Sequence, residues 1–61
     1  MKVRDVIKFV EEDGWVYVDT KGSHRQYKHP VKRGRVTIAG HPSDDVHPKT
    51  FKSVLRQAGL K

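Results

Sequence analysis

His24 is the residue of this sequence best suited to chemistry, because imidazole gives and takes protons near neutral pH. Three nearby cations could hold a phosphate group beside the ring: Lys21, Arg25 and Lys28. The pattern predicts a general base that acts on a phosphate-containing substrate. A lone histidine in a small basic domain is usually a surface residue or a hydrogen-bonded strand residue, so both interpretations stay open at this point.

Gly22 and Ser23 precede this histidine and have two compatible explanations. The pair suits a hairpin turn, since glycine reaches backbone conformations that are closed to other residues. It also leaves room for a nucleic-acid backbone, and the serine hydroxyl or amide could bind a phosphoryl oxygen. We therefore treat both residues as candidate RNA contacts as well as turn residues.

The other histidines, at positions 29, 41 and 47, do not form a metal-binding pattern. Neither an i, i+4 histidine pair nor a thiolate ligand is present, so the usual zinc spacings are absent. Asp44 and Asp45 suit a loop or a helix cap better than a metal site. The sequence also lacks a Gly-x-Ser-x-Gly elbow, a cysteine and a glycine-rich phosphate loop. We expect no metal and no other cofactor.

The charge distribution indicates a polyanionic partner. Thirteen Lys and Arg against seven Asp and Glu give a net charge of +6. No acidic residue lies between Asp19 and Asp44, and the cations in that interval are Lys21, Arg25, Lys28, Lys32, Arg33 and Arg35. Such a stretch is typical of nucleic-acid binders, although a solvated basic face without a partner has the same composition. We take these cations, with Gly22 and Ser23, as candidate RNA-binding residues.

Length and composition predict one small domain over residues 1–61. A chain of 61 residues buries only about 60% of the surface of its unfolded state. It has no cysteine that could add a disulfide or a thiolate zinc site. The longest apolar run covers residues 15–18, far short of the roughly 20 that span a bilayer, and no signal-peptide pattern begins the sequence. We expect a soluble, cytoplasmic protein without a membrane partner.

Amphipathic helices are predicted near both ends of the chain. From Lys2 to Asp13, apolar residues recur at helical spacing, and Gly14 supplies the stop. Pro48 suits the first turn of a second helix that ends before Gly59. The apolar stripe of this helix consists of Phe51, Val54, Leu55 and Ala58.

The first of three predicted strands covers Trp15 to Thr20, which is rich in aromatic and β-branched residues. Successive side chains of a strand point to opposite faces. The pattern leaves open whether the two aromatic residues or the two valines of this strand face the core. Lys21-Gly22 is predicted as the hairpin turn.

The second predicted strand runs from Ser23 to about His29, before Pro30 ends the pairing. Tyr27 is its one large apolar residue, so we expect the face with Tyr27 to point inward. The residues left on the outer face are then His24, Gln26 and Lys28.

A basic turn from Val31 to Gly34, a third strand from Arg35 to Ala39 and a loop from Gly40 to His47 complete the order α-β-β-β-α. Each helix has one apolar stripe to bury, so both helices should cover one face of a three-stranded antiparallel sheet. The predicted fold class is therefore α+β, with the architecture of a double-stranded-RNA-binding domain. The opposite face stays open and should carry His24.

Several segments together resemble the HicA toxin family. They are the Lys-Gly-Ser-His of positions 21–24, His29-Pro30, the stretch from Val36 through His41-Pro42, and the closing helix after Pro48. Gly-Ser-His alone is a weak signal. Combined with the order of the elements and the last helix, it makes the resemblance specific, and the resemblance covers nearly the whole chain.

The resemblance implies a double-stranded-RNA-binding-like fold, metal-independent cleavage of mRNA that blocks translation, and a single catalytic histidine, here His24. It also implies a HicB-type antitoxin that covers the face bearing His24. We expect the toxin alone to be monomeric and the pair to form a larger complex.

In the expected reaction, the 2′-hydroxyl attacks the adjacent phosphate, and Lys28 or Arg25 stabilises charge on the phosphoryl oxygens. No second histidine is predicted as the acid, because His29 lies an odd number of residues along the strand from His24. The rival interpretation is a non-catalytic module of the double-stranded-RNA-binding type, in which His24 only contacts RNA.

Overall fold

The computed structural model describes residues 1–60, and its elements follow the predicted order. They are α1 (Val3–Glu12), β1 (Val16–Lys21), β2 (His24–Lys28), β3 (Val36–Ala39) and α2 (Pro48–Gln57). The strands form one antiparallel sheet in the order β1-β2-β3. The predicted α+β fold class is confirmed. Within residues 1–60, no helix has both the length and the apolar character needed to cross a membrane.

Both helices contribute to one apolar cluster on one face of the sheet. The sheet supplies Tyr27, Val36 and Ile38, and the direct pairing of Tyr27 with Val36 sets these side chains on the same face. The helices supply Val3, Val6, Val10, Val54 and Ala58. The two amphipathic helices therefore cover the Tyr27 side of the sheet, and the face with His24 is left open.

β1 is an edge strand whose side chains stay exposed. Trp15, just before the strand, is only 2% exposed and belongs to the core, whereas Val16 is 57% and Tyr17 50% exposed. A β-bulge between Tyr17 and Asp19 shifts the register of the strand. Neither of the two alternating pairs offered by the sequence is buried as a pair, because the helices pack over Tyr27 of β2 and over β3 instead of β1. Within residues 1–60, Trp15 is the residue of this segment that reaches the core.

The hairpin between β1 and β2 turns at Gly22 and Ser23, one residue later than predicted. Lys21 pairs with His24 across the turn and therefore belongs to the strand. Gly22 has a φ of +60°, which glycine adopts without the steric cost that other residues bear. The prediction of a Lys21-Gly22 turn was wrong by one position. In the observed hairpin, Lys21 lies directly opposite His24.

A polar cluster joins the ends of α1, β2 and α2; we call it the Asp13 latch, and it consists of Asp13, His29, Lys32 and the carbonyl oxygen of Ala58. Two backbone N–H groups of the following turn donate to His29 Nδ1, each at 3.0 Å. The ring proton must therefore sit on Nε2, which donates to the Asp13 carbonyl oxygen at 2.8 Å. Lys32 Nζ donates to Asp13 Oδ2 at 2.6 Å and to the Ala58 carbonyl oxygen at 3.1 Å. The latch holds three chain segments beside the buried Trp15 ring, which packs edge-on against His29.

Gly14 allows His29 to approach the end of α1. Its φ is +104°, and a Cβ atom at this position would lie 2.7 Å from His29 Nε2, the atom that bonds to Asp13. A glycine is therefore required here for two reasons, the left-handed backbone and the lack of space. The helix-stop pattern of the sequence indicates the first reason, whereas the second depends on the tertiary fold.

Asp13 gives the latch a dependence on pH. The hydrogen bond from Lys32 holds the pKa of Asp13 below its ordinary value, and the Trp15 indole N–H, 3.2 Å from Oδ2, acts in the same direction. The unfolded chain thus takes up the proton at a higher pH than the folded chain. The stabilisation is complete above about pH 4, the ordinary range of an aspartate, and is lost as the pH falls through the lower folded value.

We expect Asp13→Asn to lower the urea midpoint of unfolding at pH 7, and the difference from the parent to shrink below about pH 4. Urea titrations at several pH values would measure it, with Glu12→Gln as the control for loss of an exposed carboxylate at the same helix end. A difference that stays constant into strong acid would show that the charge of Asp13 does not stabilise the latch.

The two edges of the sheet differ. At the β3 edge, the Thr37 N–H donates to Gln57 Oε1 of α2 at 2.9 Å, so a side chain occupies a position that another strand would use. The β1 edge has exposed side chains along its whole length.

The helix α2 begins at Pro48 and is capped by His47, whose Nδ1 accepts the Lys49 N–H at 3.1 Å.

Candidate active site

His24 opens β2 on the open face of the sheet. Its side chain is exposed, and it stands on the central strand, paired with Lys21 of β1 and with Ala39 of β3. We call the open face around it the outer face. Directly opposed side chains have Cβ atoms about 4.5–5.5 Å apart. Lys21 and His24 can therefore contact one phosphate group together.

Lys28 shares the outer face but lies at the far end of β2. It lies four positions along the strand from His24, which corresponds to about 13 Å. Lys28 therefore lies farther from His24 than Lys21 does. Lys21, and not Lys28, is the cation that the structure brings next to His24.

Arg25 lies on the other side of the sheet. It pairs with the buried Ile38, and its Nη1 donates to the Gly40 carbonyl oxygen at 2.8 Å. The structure does not bring Arg25 together with His24, because neighbouring residues of a strand point to opposite faces. The guanidinium group instead anchors the segment that follows β3.

Three of the predicted RNA contacts lie in the connection between β2 and β3. Lys32 is engaged by Asp13 and by the Ala58 carbonyl oxygen and is not on the outer face. Arg33 and Arg35 are exposed. Because Tyr27 pairs with Val36, the neighbouring Arg35 lies at the end of the sheet that carries Lys28. The exposed basic surface thus extends beyond His24 toward Lys28 and Arg35.

Gly22 and Ser23 form the turn at the other end of the site. A Cβ atom at position 22 would meet no atom within 4 Å, so the turn conformation and not crowding is what favours glycine there. Ser23 is exposed, and its carbonyl oxygen accepts the Gly40 N–H at 3.2 Å. Phosphate binding by these two residues remains a prediction.

The loop after β3, which the sequence predicts only as a connection, contains a closed turn. Asp44 Oδ2 accepts the His41 N–H at 3.0 Å, while the Asp44 N–H donates to the His41 carbonyl oxygen at 2.9 Å. The sequence did contain a signal for this turn. Asp44 comes three residues after His41, and an aspartate side chain often accepts a hydrogen bond from a nearby backbone N–H in a turn. What the sequence did not show is that this turn lies beside the hairpin of His24.

The outer face offers a proton acceptor and a cation side by side. His24 can accept or donate a proton, and Lys21 can stabilise negative charge on a phosphoryl oxygen. In the part of the chain that the structure describes, His, Asp and Glu side chains do not gather in groups of three or more that could hold a metal ion. The chemistry that these residues can supply is proton transfer at a phosphate.

The family model described as the HicA toxin of bacterial toxin-antitoxin pairs matches residues 3–60. The chain belongs to this family. No curated protein matches it closely. Membership confirms the resemblance found in the sequence. It makes this HicA-family protein the toxin of a toxin-antitoxin pair, with an antitoxin as its partner.

Proposed function

We propose that this toxin is a metal-independent endoribonuclease that cuts mRNA in the cytoplasm and thereby blocks translation. The observation that carries the proposal is the exposed His24 imidazole directly opposite Lys21 on the open face of the sheet. The exposed cations Lys28, Arg33 and Arg35 extend the positive surface along the same sheet and favour a long polyanion over a small substrate. Family membership supports the same function.

In the proposed reaction, His24 accepts the proton of a ribose 2′-hydroxyl, and the oxygen attacks the adjacent phosphorus atom. The P–O5′ bond breaks, the leaving 5′-oxygen takes up a proton, and the products are a 2′,3′-cyclic phosphate and a 5′-hydroxyl end, with His24 left protonated. Lys21 stabilises the negative charge that develops on the phosphoryl oxygens. A histidine base contributes typically about 10²–10⁴-fold to such a rate.

A modified RNA tests this mechanism. We expect an oligonucleotide with one 2′-deoxy nucleotide on the 5′ side of the scissile phosphate to resist cleavage in EDTA, while the all-ribose oligonucleotide is cut and ends in a cyclic phosphate. Cleavage of the 2′-deoxy strand at the same bond would exclude the 2′-hydroxyl as the nucleophile. Cleavage that needs added magnesium would exclude the metal-independent reaction.

The antitoxin is proposed to be a HicB-type protein that covers the outer face. An acidic surface would complement Lys21 and Lys28, and it would exclude RNA from His24 by occupying the same area. The free toxin is then a monomer, and the complex with the antitoxin is larger.

RNA binding should depend on salt through the exposed cations of the outer face. We expect Lys28→Gln combined with Arg35→Gln to flatten the slope of log affinity against log salt by about 1.4, since each phosphate contact on a single strand contributes about 0.7. Fluorescence anisotropy at several salt concentrations would measure the slope, using a strand that resists cleavage.

The matched control is Lys8→Gln with Arg56→Gln, which removes the same charge from exposed positions on the two helices. A helix variant that flattens the slope as much as the outer-face variant would place the RNA elsewhere.

A further inference from the structure

The segment after β3 runs beside the hairpin that carries His24. Ala39 pairs with His24, and the next residue, Gly40, donates its N–H to the Ser23 carbonyl oxygen at 3.2 Å. His41 follows immediately. From the spacing of paired strands and of consecutive Cα atoms, the Cα atoms of His24 and His41 lie about 8–12 Å apart. Two imidazoles at that separation can reach opposite sides of one phosphodiester group.

The backbone of His41 is fixed from both sides by Asp44. The carboxylate accepts the His41 N–H, and the Asp44 N–H donates to the His41 carbonyl oxygen. Asp44 is itself tied to the body of the protein, because its carbonyl oxygen accepts the Val3 N–H of α1 at 2.9 Å. His41 thus sits on a short turn that is held in place and not on a free loop.

Arg25 holds the other end of the same turn. Its guanidinium donates to the Gly40 carbonyl oxygen from the helix side of the sheet. Gly40 has a φ of +99°, and a Cβ atom there would lie 3.3 Å from Asp44 Oδ2. Two consecutive residues of β2 therefore have different roles. His24 is exposed on the outer face, and Arg25, on the opposite face, anchors the segment that leads to His41.

The four histidines divide by what their rings do. Within residues 1–60, the histidine rings that form hydrogen bonds are those of His29, in the Asp13 latch, and His47, which caps α2. His24 and His41 are both exposed, and their rings stay available for a ligand.

We propose that His41 is a second catalytic residue, the general acid that protonates the leaving 5′-oxygen. This inference rests on the proposed function. His24 takes the proton of the 2′-hydroxyl, the O2′–P bond forms, the P–O5′ bond breaks, and the proton on the His41 ring passes to O5′. The products are the cyclic phosphate and a neutral 5′-hydroxyl, with His24 protonated and His41 neutral until water restores both. Asp44 acts as a positioning residue for His41.

A substrate whose leaving group needs no proton separates this role from a structural one. The probe is the RNA oligonucleotide that the parent cuts, with the bridging 5′-oxygen of the scissile bond replaced by sulfur, because a thiolate leaves without protonation. We expect His41→Asn to slow cleavage of the ordinary RNA by about 10²–10³-fold, within the range of general acid catalysis, and to slow cleavage of the sulfur-containing RNA by only a few-fold. His24→Ala should slow both.

The control is His47→Asn, which removes another exposed imidazole while asparagine preserves the helix cap, and it should cut both substrates like the parent. His41→Gln serves as a second variant, and a thermal melt of each variant verifies the fold. An ordinary-RNA rate that is unchanged in His41→Asn and His41→Gln would overturn the proposal. So would an equal loss on both substrates, which would make His41 a structural residue. A His24→Ala protein that cuts both substrates normally would instead refute the proposed function.

Discussion

Replacing His24 with alanine is expected to abolish growth arrest and to slow RNA cleavage by about 10²–10⁴-fold, the usual contribution of a general base. The side chain is exposed and outside the apolar core, so the thermal midpoint should stay close to that of the parent. RNA affinity should change by less than about tenfold, because the contacts of Lys21, Lys28 and Arg35 with phosphates remain. Cleavage of a labelled oligonucleotide and induction of the gene in cells measure the two effects.

Binding to the antitoxin provides the internal control for this variant. An extended interface rarely depends on one side chain at its surface, so the complex with the antitoxin should form as it does with the parent. A folded His24→Ala protein that still cleaves RNA like the parent would reduce His24 to a contact residue. The rival function, a module that only binds double-stranded RNA, would then be the better description.

Replacing Gly14 with alanine is expected to destabilise the fold by about 1.5–3.5 kcal/mol. A left-handed backbone costs a non-glycine residue roughly 1–2 kcal/mol, and the added Cβ atom would collide with His29 Nε2 and break its hydrogen bond to Asp13, worth about 0.5–1.5 kcal/mol. At about 0.05–0.15 kcal/mol per residue, a domain of 61 residues has about 3–9 kcal/mol of stability, so this loss is a large share of it. Urea unfolding followed by the fluorescence of the buried Trp15 measures the loss.

Gly34→Ala is the matched control, because its φ of +85° carries a similar backbone cost while a Cβ atom there meets no other atom within 4 Å. The difference between the two variants isolates the contact with His29. Equal destabilisation by both substitutions would mean that the contact with His29 adds nothing to the free-energy cost of Gly14→Ala.

The sequence was most informative where one local pattern decides the outcome. The alternation of β2 around Tyr27 was enough to predict which side chains share the outer face with His24, since the burial of one large side chain sets the direction of all its neighbours. The helix stripes were equally local. Both helices begin and end within one residue of the predicted bounds.

The partners of the cations could not be predicted in this way. Lys32 and Arg25 looked like phosphate ligands, yet each binds a backbone carbonyl oxygen that lies far along the chain, at Ala58 and Gly40. A long basic side chain reaches whichever acceptor the tertiary fold brings near it, and that acceptor leaves no local signal. Lys21 was predicted as a phosphate contact, but its position directly opposite His24 was not, because a one-residue shift of the hairpin turn decides which residue faces His24.

The burial of residues in β1 also could not be predicted from the local sequence. Aromatic and β-branched residues predict a strand here, and the strand is confirmed, but they leave open which of its residues are buried, and every residue of β1 is exposed. Burial depends on whether another layer covers the strand, and the two helices pack over Tyr27, Val36 and Ile38 instead.

The fixed ring protons of His29 and His47 give this protein a built-in spectroscopic reference. The Nδ1 atom accepts two backbone N–H groups in His29 and one in His47, so the neutral form of each ring is held as the Nε2–H tautomer and should show two widely separated ring-nitrogen resonances in nitrogen-15 spectra. The rings of His24 and His41, free to exchange tautomers, should give averaged resonances. An RNA strand or an antitoxin seated on the outer face would move the averaged resonances of His24 and leave those of His29, in the Asp13 latch, in place. One spectrum of the unmodified protein would then locate the bound surface.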